Sequence, residues 1–124
     1  MTPLSLTHQN VAGGVLVTVT GEVDATNADR LEAYLTEARA PGQNVILDLS
    51  GLTFMDSRGL HVLLRLHGAV RTQQARLSLA AVHDWPARLL QITGIWDALD
   101  IHPGVEEAIQ AAEDEQAHRQ REPS

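Results

Sequence analysis

The first twenty residues carry a period-two pattern of apolar side chains. Leu4 and Leu6 alternate with polar residues, and residues 15–20 alternate valines with other side chains. A period of two is typical of β-strands, and β-branched residues favour them. The Ala-Gly-Gly stretch at residues 12–14 separates the two runs and indicates a turn. The pattern therefore predicts an antiparallel hairpin of two strands.

Helical and strand-like segments alternate along the rest of the chain. In four segments apolar residues recur every three or four positions, which is the spacing of an amphipathic helix. The predicted helices cover about residues 28–38, 56–70, 86–92 and 105–112. Between them lie apolar runs that predict further strands, at residues 45–49, at 76–82 and around Ile101. Residues 50–55 are predicted to be a connection.

The predicted order is ββαβαβαβα. Strands that alternate with helices imply an α/β domain with a small mixed, mainly parallel sheet flanked by helices. Four short helices barely suffice to cover two faces, so we expect them chiefly on one side. No linker or repeat divides the 124 residues. We therefore predict one domain over residues 1–124, with its core at about 4–112 and a polar tail at 113–124.

Composition and charge narrow the classes of function. The formal net charge is −7, which argues against nucleic acid and anionic membrane surfaces as partners, because both require clusters of basic residues. The chain has no cysteine, so disulfides and thiolate chemistry are excluded. The N-terminal residues show neither a basic region nor an apolar one, which predicts no signal peptide. We expect a cytoplasmic protein that binds no cofactor.

Enzyme and metal chemistry find little support. The chain has no P-loop and no dinucleotide-binding fingerprint. Its six histidines are scattered, and His61 and His67 are six positions apart, which is not the spacing of a metal pair. A Ser-His-Asp hydrolase is considered because Asp56 precedes Ser57. However, Ser57 lies outside a G-x-S-x-G motif, and an adjacent Asp cannot orient a distant His. We predict that the chain is not an enzyme.

The segment at residues 54–60 remains, because it follows a buried strand and opens a helix. Ser57 there has a plain structural interpretation as a helix N-cap, and Asp56 has the same one. Asp24 is likewise placed to cap the first helix. Gly59 could serve close packing, but glycine is costly inside a helix, and a small residue beside an exposed hydroxyl leaves space for a macromolecule to approach.

Two motifs in this context resemble the STAS domain family, in particular the bacterial anti-sigma factor antagonists. They are Gly-Glu-x-Asp at residues 21–24 and Asp-Ser-x-Gly-Leu at residues 56–60, and residues 89–95 resemble the family's third helix and following turn. The resemblance covers about residues 4–112. It implies that an anti-sigma factor, which is also a serine kinase, phosphorylates Ser57, and that a phosphatase reverses this.

The resemblance also implies a partner-binding face. The unphosphorylated form would bind the kinase and free the sigma factor, and Asp24, Asp56 and Ser57 would lie together at the interface, next to Arg58 and Gly59. Many relatives carry a second small hydroxyl residue where this chain has Arg58, so partner choice is the feature most affected. The alternative is a STAS scaffold or adaptor subunit of a signalling or lipid-transport complex, in which Ser57 is not a switch.

Overall fold

The computed structural model describes residues 2–121, with side chains through residue 119. Within that range the six strands are β1 (Ser5–Val11), β2 (Gly14–Val23), β3 (Val45–Asp48), β4 (Leu52–Met55), β5 (Leu77–Ala80) and β6 (Asp100–His102). The α-helices are α1 (Ala28–Ala38), α2 (Ser57–Thr72), α3 (Asp84–Ile92) and α4 (Val105–Arg121), and a short 3-10 turn covers Ile95–Ala98. The α/β fold class and the predicted positions of all four helices are confirmed.

The strands form a mixed sheet in the order β1-β2-β3-β5-β6. Strands β1 and β2 form the predicted antiparallel hairpin, with Ser5 opposite Thr20. The remaining pairs, β2 with β3, β3 with β5 and β5 with β6, are parallel. A mainly parallel sheet was predicted, because helices connect most of the strands.

One strand was missing from the predicted order. Residues 50–55 were predicted to be a connection, but Leu52–Met55 forms strand β4, which pairs in parallel with the end of β2. The observed order is therefore ββαββαβαβα, with the short 3-10 turn before β6. A register shift between Gly21 and Glu22 interrupts the pairing of β2 with β4. Gly21 has a φ of +97°, and a Cβ atom there would lie 2.1 Å from the carbonyl oxygen of Pro3, so this position requires glycine.

Two hydrophobic clusters cover the two faces of the sheet. The larger one packs the valines of β2 and the leucines of β5 against Leu31 and Leu35 of α1, the apolar face of α2, and Leu90 of α3. The smaller one joins Leu16, Ile46 and Ala80 to two alanines of α4. Most helical surface therefore lies on one side, as predicted. The predicted polar tail is helical as far as Arg121, and residues 122–124 lie outside the described residues.

Candidate functional site

The parallel pairing of β2 with β4 brings two carboxylates to one edge of the sheet. Val23 lies opposite Met55, and the next residues along the two strands are Asp24 and Asp56. The amide of Asp56 donates a hydrogen bond of 3.1 Å to the carbonyl oxygen of Val23. Because neighbouring strands lie about 5 Å apart, Asp24 is a close neighbour of the segment that begins α2.

Asp24 holds the turn that leads into α1. Its Oδ1 accepts hydrogen bonds from the amide of Thr26 at 2.8 Å and from the Thr26 hydroxyl at 2.5 Å. These bonds, first the one from the hydroxyl, lower the pKa of Asp24 below its ordinary value. The N-cap of α1 is Asn27, so the expectation that Asp24 caps this helix is wrong: its side chain caps the preceding turn. Asp24 is ionised at neutral pH.

Asp56 is the N-cap of α2, and Ser57 is the first helical residue. Oδ1 of Asp56 accepts hydrogen bonds from the amides of Arg58 at 2.8 Å and Gly59 at 3.4 Å. The interpretation of Ser57 as the cap is therefore wrong by one position. The Ser57 side chain is exposed, and its hydroxyl makes no hydrogen bond with the residues that the structure describes. An exposed Ser57 at a helix start was predicted and is confirmed.

Gly59 faces the interior and not the solvent. A Cβ atom at this position would lie 2.5 Å from Cγ of Met55 and 2.9 Å from Cγ1 of Val23. The suggestion that Gly59 leaves space for a macromolecule is therefore wrong, because two core side chains occupy that space, and the alternative interpretation as a close-packing residue is confirmed. Gly59 instead allows α2 to lie close against β2 and β4, and this close packing positions Ser57.

Arg58 lies beside Ser57 at the surface. Its side chain is exposed, and within residues 2–119 it forms no salt bridge. This edge of the sheet thus presents two carboxylates, one hydroxyl and one guanidinium. Three of the groups are on the consecutive residues 56–58, and the fourth is on Asp24 of the neighbouring strand end. The structure brings together all five of the residues that the sequence singled out, with Gly59 beneath the surface that the other four form.

Two exposed aromatic residues adjoin this surface and were missed in the sequence analysis. Phe54 on β4 is 38% exposed and Trp85 at the start of α3 is 39% exposed. The indole Nε1–H of Trp85 donates a hydrogen bond of 3.0 Å to the carbonyl oxygen of Met55, the residue before the helix cap. The sequence did contain a signal for them, because the whole chain has only four Phe, Tyr and Trp residues in total. One of the four, Phe54, also lies within the motif segment at residues 54–60.

The described surroundings of Ser57 place no histidine against its hydroxyl. The nearby loop before α3 contains His83, but its Nε2 lies 2.8 Å from the carbonyl oxygen of Ser50 and its Nδ1 lies 3.0 Å from Asp84. Among the described residues, no histidine nitrogen hydrogen-bonds the Ser57 hydroxyl. The same part of the chain contains no group of three or more His, Asp or Glu side chains that could hold a metal ion. None of its helices is long and apolar enough to span a membrane.

Comparison with known proteins agrees with this geometry. The model of the family described as "STAS domain" matches residues 4–108. A Staphylococcus aureus (strain NCTC 8325 / PS 47) protein called "Anti-sigma-B factor antagonist" is 32% identical over 91 residues, covering 73% of this chain and 84% of the relative.

Solved structures share the fold. An anti-sigma factor antagonist from Mycobacterium paratuberculosis superposes with a TM-score of 0.80 at 22% identity, over 89% of this chain and 94% of that one. The Bacillus cell fate determinant SpoIIAA in its phosphorylated form superposes with a TM-score of 0.64 at 20% identity, over 88% and 98% of the two chains. The match to the family model covers most of the chain, which therefore belongs to the STAS domain family.

Proposed function

We propose that this chain is an anti-sigma factor antagonist that is switched by phosphorylation of Ser57. In its unphosphorylated form it binds an anti-sigma factor that is also a serine kinase, and so releases a sigma factor. The partner contacts Asp24, Asp56, Ser57 and Arg58 on the surface, while Gly59 supports them from below. The name of the Staphylococcus aureus relative supports the general function, and the geometry around Ser57 supports the switch.

The observation that carries this proposal is the unengaged hydroxyl of Ser57. If Ser57 served only to cap α2, its oxygen would accept a backbone hydrogen bond in the first turn. Asp56 already fills that role with its contacts to Arg58 and Gly59. The Ser57 hydroxyl is exposed and free to enter the active site of a kinase, so its position suits modification better than structural support.

Phosphorylation of Ser57 would change the charge of this surface. A phosphoserine carries about −1.5 to −2 charges at neutral pH. Helix N-termini normally tolerate such a group because their free amides donate to it. Here Asp56 already accepts from the amides of Arg58 and Gly59, and its carbonyl accepts from Leu60. The phosphate would therefore add to the negative charge of Asp24 and Asp56 with little compensation from the backbone.

The switch would act at the interface and leave the fold intact. A dianion that loses its water without gaining a matched cation costs several kcal/mol, and each 1.4 kcal/mol weakens binding about tenfold. Arg58 would offset only part of this penalty, because an exposed ion pair contributes about 0–1 kcal/mol. Since Ser57 is exposed and Asp56 retains the cap, the domain itself should remain folded.

The exposed aromatic residues extend the proposed binding surface. Phe54 and Trp85 border the segment that contains Ser57, and aromatic side chains are enriched at the centres of protein interfaces. The bond from Trp85 to the Met55 carbonyl connects α3 to the end of β4, directly before the N-cap of α2. We therefore expect the start of α3 to contact the same partner as Ser57.

The proposal includes a phosphatase that restores Ser57, action in the cytoplasm and the absence of intrinsic enzymatic activity.

The proposal is tested by affinity capture from cytoplasmic extract of the source cells, with wild type and Ser57→Asp as baits and Arg30→Ala as a matched surface control. Wild type and Arg30→Ala should capture a serine kinase that Ser57→Asp does not. Incubation with that kinase and ATP should place one phosphate on Ser57. Phosphorylation at another residue, or equal capture by Ser57→Asp, would instead support the scaffold alternative.

A further inference from the structure

The two outer strands of the sheet differ in how they are protected from pairing with another chain. β6 has three residues and begins with Asp100, whose carboxylate is engaged by Ser78 and His102. Short length and charge are common means by which an edge strand avoids such pairing, as are proline and bulges. β1 has seven residues without Pro, Asp, Glu, Lys or Arg, and its register with β2 has no bulge. It therefore has none of these protections.

Three residues of β1 present their backbone groups to this open edge. The two-residue turn at residues 12–13 fixes which residues of β1 bond to β2, because bonded and non-bonded positions alternate. In agreement with this alternation, the amide of Val15 donates away from β1. The N–H and C=O groups of Leu6, His8 and Asn10 therefore point outward. None of them bonds a side chain or a backbone group outside β2 among the described residues.

The spacing of these three residues suits pairing with a second copy of the chain. About a two-fold axis at His8, an antiparallel copy of β1 places Leu6 opposite the partner's Asn10 and His8 opposite its own equivalent. Each of these pairs then exchanges both of its N–H···O=C bonds. The open edge is therefore complementary to itself, which is the requirement for a two-fold interface.

Helix α1 lies above the same edge and is centred on the same axis. It packs against β2 and β1, and the hydroxyl oxygen of Tyr34 lies 2.6 Å from Nδ1 of His8. Because neighbouring strands lie about 5 Å apart, the α1 helices of two paired copies would lie about 10 Å apart, a usual distance for packed helices. Tyr34, like His8, would then lie near the two-fold axis.

The exposed residues that flank Tyr34 on α1 carry opposite charges. Arg30 and Glu37 are about one turn before and after Tyr34, on the same side of the helix, and neither forms a salt bridge within residues 2–119. In an antiparallel pair of helices, Arg30 of each copy lies opposite the partner's Glu37. Residues 1–21 contain no Asp, Glu, Lys or Arg. Two copies with a net charge of −7 each therefore meet here through complementary charges and an uncharged strand.

We propose that two copies of this chain form a two-fold symmetric dimer in which their β1 edges pair and their α1 helices pack. A strand of another protein would use the same backbone groups, but it would not explain the opposite charges placed symmetrically about the axis at His8. The contact is limited to one strand and one helix of each copy, so the dimer should be weak and in exchange with the monomer at micromolar concentration. This inference does not use the proposed switch at Ser57.

The test is sedimentation velocity of the full chain from low micromolar to submillimolar concentration. Wild type should shift from monomer to dimer, without larger species. His8→Pro removes an outward N–H at the centre of the edge, where an edge strand tolerates proline, and should weaken the dimer at least about tenfold. His8→Ala loses the same contact with Tyr34 but keeps the amide, so it should weaken the dimer less than about threefold.

Charge-reversal variants test the contact between the α1 helices. Glu37→Arg should weaken the dimer at least about fivefold, because it places like charges opposite each other, and Arg30→Glu in the same chain should restore it. Glu106→Arg on exposed α4 makes the same change of net charge elsewhere and should not weaken the dimer. Thermal unfolding checks that all variants fold. The proposal is overturned if wild type stays monomeric over the whole range, if His8→Pro and His8→Ala dimerise equally, or if Glu37→Arg behaves like Glu106→Arg.

Discussion

Gly59 and Gly68 lie on the same helix in opposite surroundings, and this makes their substitution by alanine a matched pair. A Cβ atom at Gly59 would lie 2.5 Å and 2.9 Å from core side-chain atoms, whereas one at Gly68 would meet nothing within 4 Å. Alanine at either position gains about 1 kcal/mol of helix propensity. At Gly59 the added methyl group also causes overpacking, which costs about 1–3 kcal/mol. Because both variants gain the same helix propensity, their free energies of unfolding should differ by the cost of overpacking at Gly59.

The assay is urea unfolding of wild type, Gly59→Ala and Gly68→Ala, followed by far-ultraviolet circular dichroism. Gly68→Ala should raise the free energy of unfolding by about 1 kcal/mol. Gly59→Ala should lie about 1–3 kcal/mol below Gly68→Ala, with a similar denaturant slope. Met55 has to move to admit the methyl group, so the variant should also disturb the indole of Trp85. Equal stability of the two variants would refute the close packing of α2 against β2 and β4.

Three further predictions concern the start of α2 and the neighbouring α3. Asp56→Ala should lower the free energy of unfolding by about 1 kcal/mol because the first turn of α2 loses its cap, whereas Ser57→Ala should change it by less than about 0.5 kcal/mol. Equal losses for the two variants in denaturant unfolding would contradict the assignment of Asp56 as the cap. Trp85→Phe should cost about 1 kcal/mol in the same assay, since the Met55 carbonyl loses its donor, and an unchanged value would contradict that bond. The carbonyl of Ser50, and then Asp84, raise the pKa of His83. The contribution of protonated His83 to the free energy of unfolding is therefore fully present below about pH 6.5, and it is lost as the pH rises through the higher pKa of the folded state. An NMR titration that gives His83 a pKa at or below 6.5 would contradict this prediction.

Much of the fold followed from periodicity along the chain. The change from an apolar run at residues 45–49 to a period near 3.6 after Ser57 located α2, and glycines and prolines marked most of the other boundaries. Strand β4 escaped this reasoning because it has four residues, of which the outer two are buried and the inner two exposed. That pattern belongs to neither period. Its identity as a strand depends on pairing with Gly21 and its neighbours, which lie far earlier in the sequence.

The candidate site could be predicted only in part, because some of its features depend on contacts between residues that are distant in sequence. The residue types at 24 and 56–59 and their motif spacing singled out residues that the fold brings together, since the sheet register places Asp24 next to Asp56. Which residue caps the helix was not predictable, because Asp56 and Ser57 are both good caps and the backbone angles decide between them. The packing role of Gly59 and the bond from Trp85 depend on contacts that are distant in sequence. Local patterns do not contain that information.

The measurement that tests the central claim most directly is calorimetric titration of the partner kinase with wild type, Ser57→Ala and Ser57→Asp. Wild type and Ser57→Ala should bind with affinities within a few-fold of each other, because the hydroxyl makes no hydrogen bond with the described residues of the domain. Ser57→Asp should lose affinity by at least about a hundredfold, which corresponds to about 2.7 kcal/mol, while its thermal unfolding stays near that of wild type. Equal affinity for all three proteins would contradict the proposal that the charge on Ser57 controls binding.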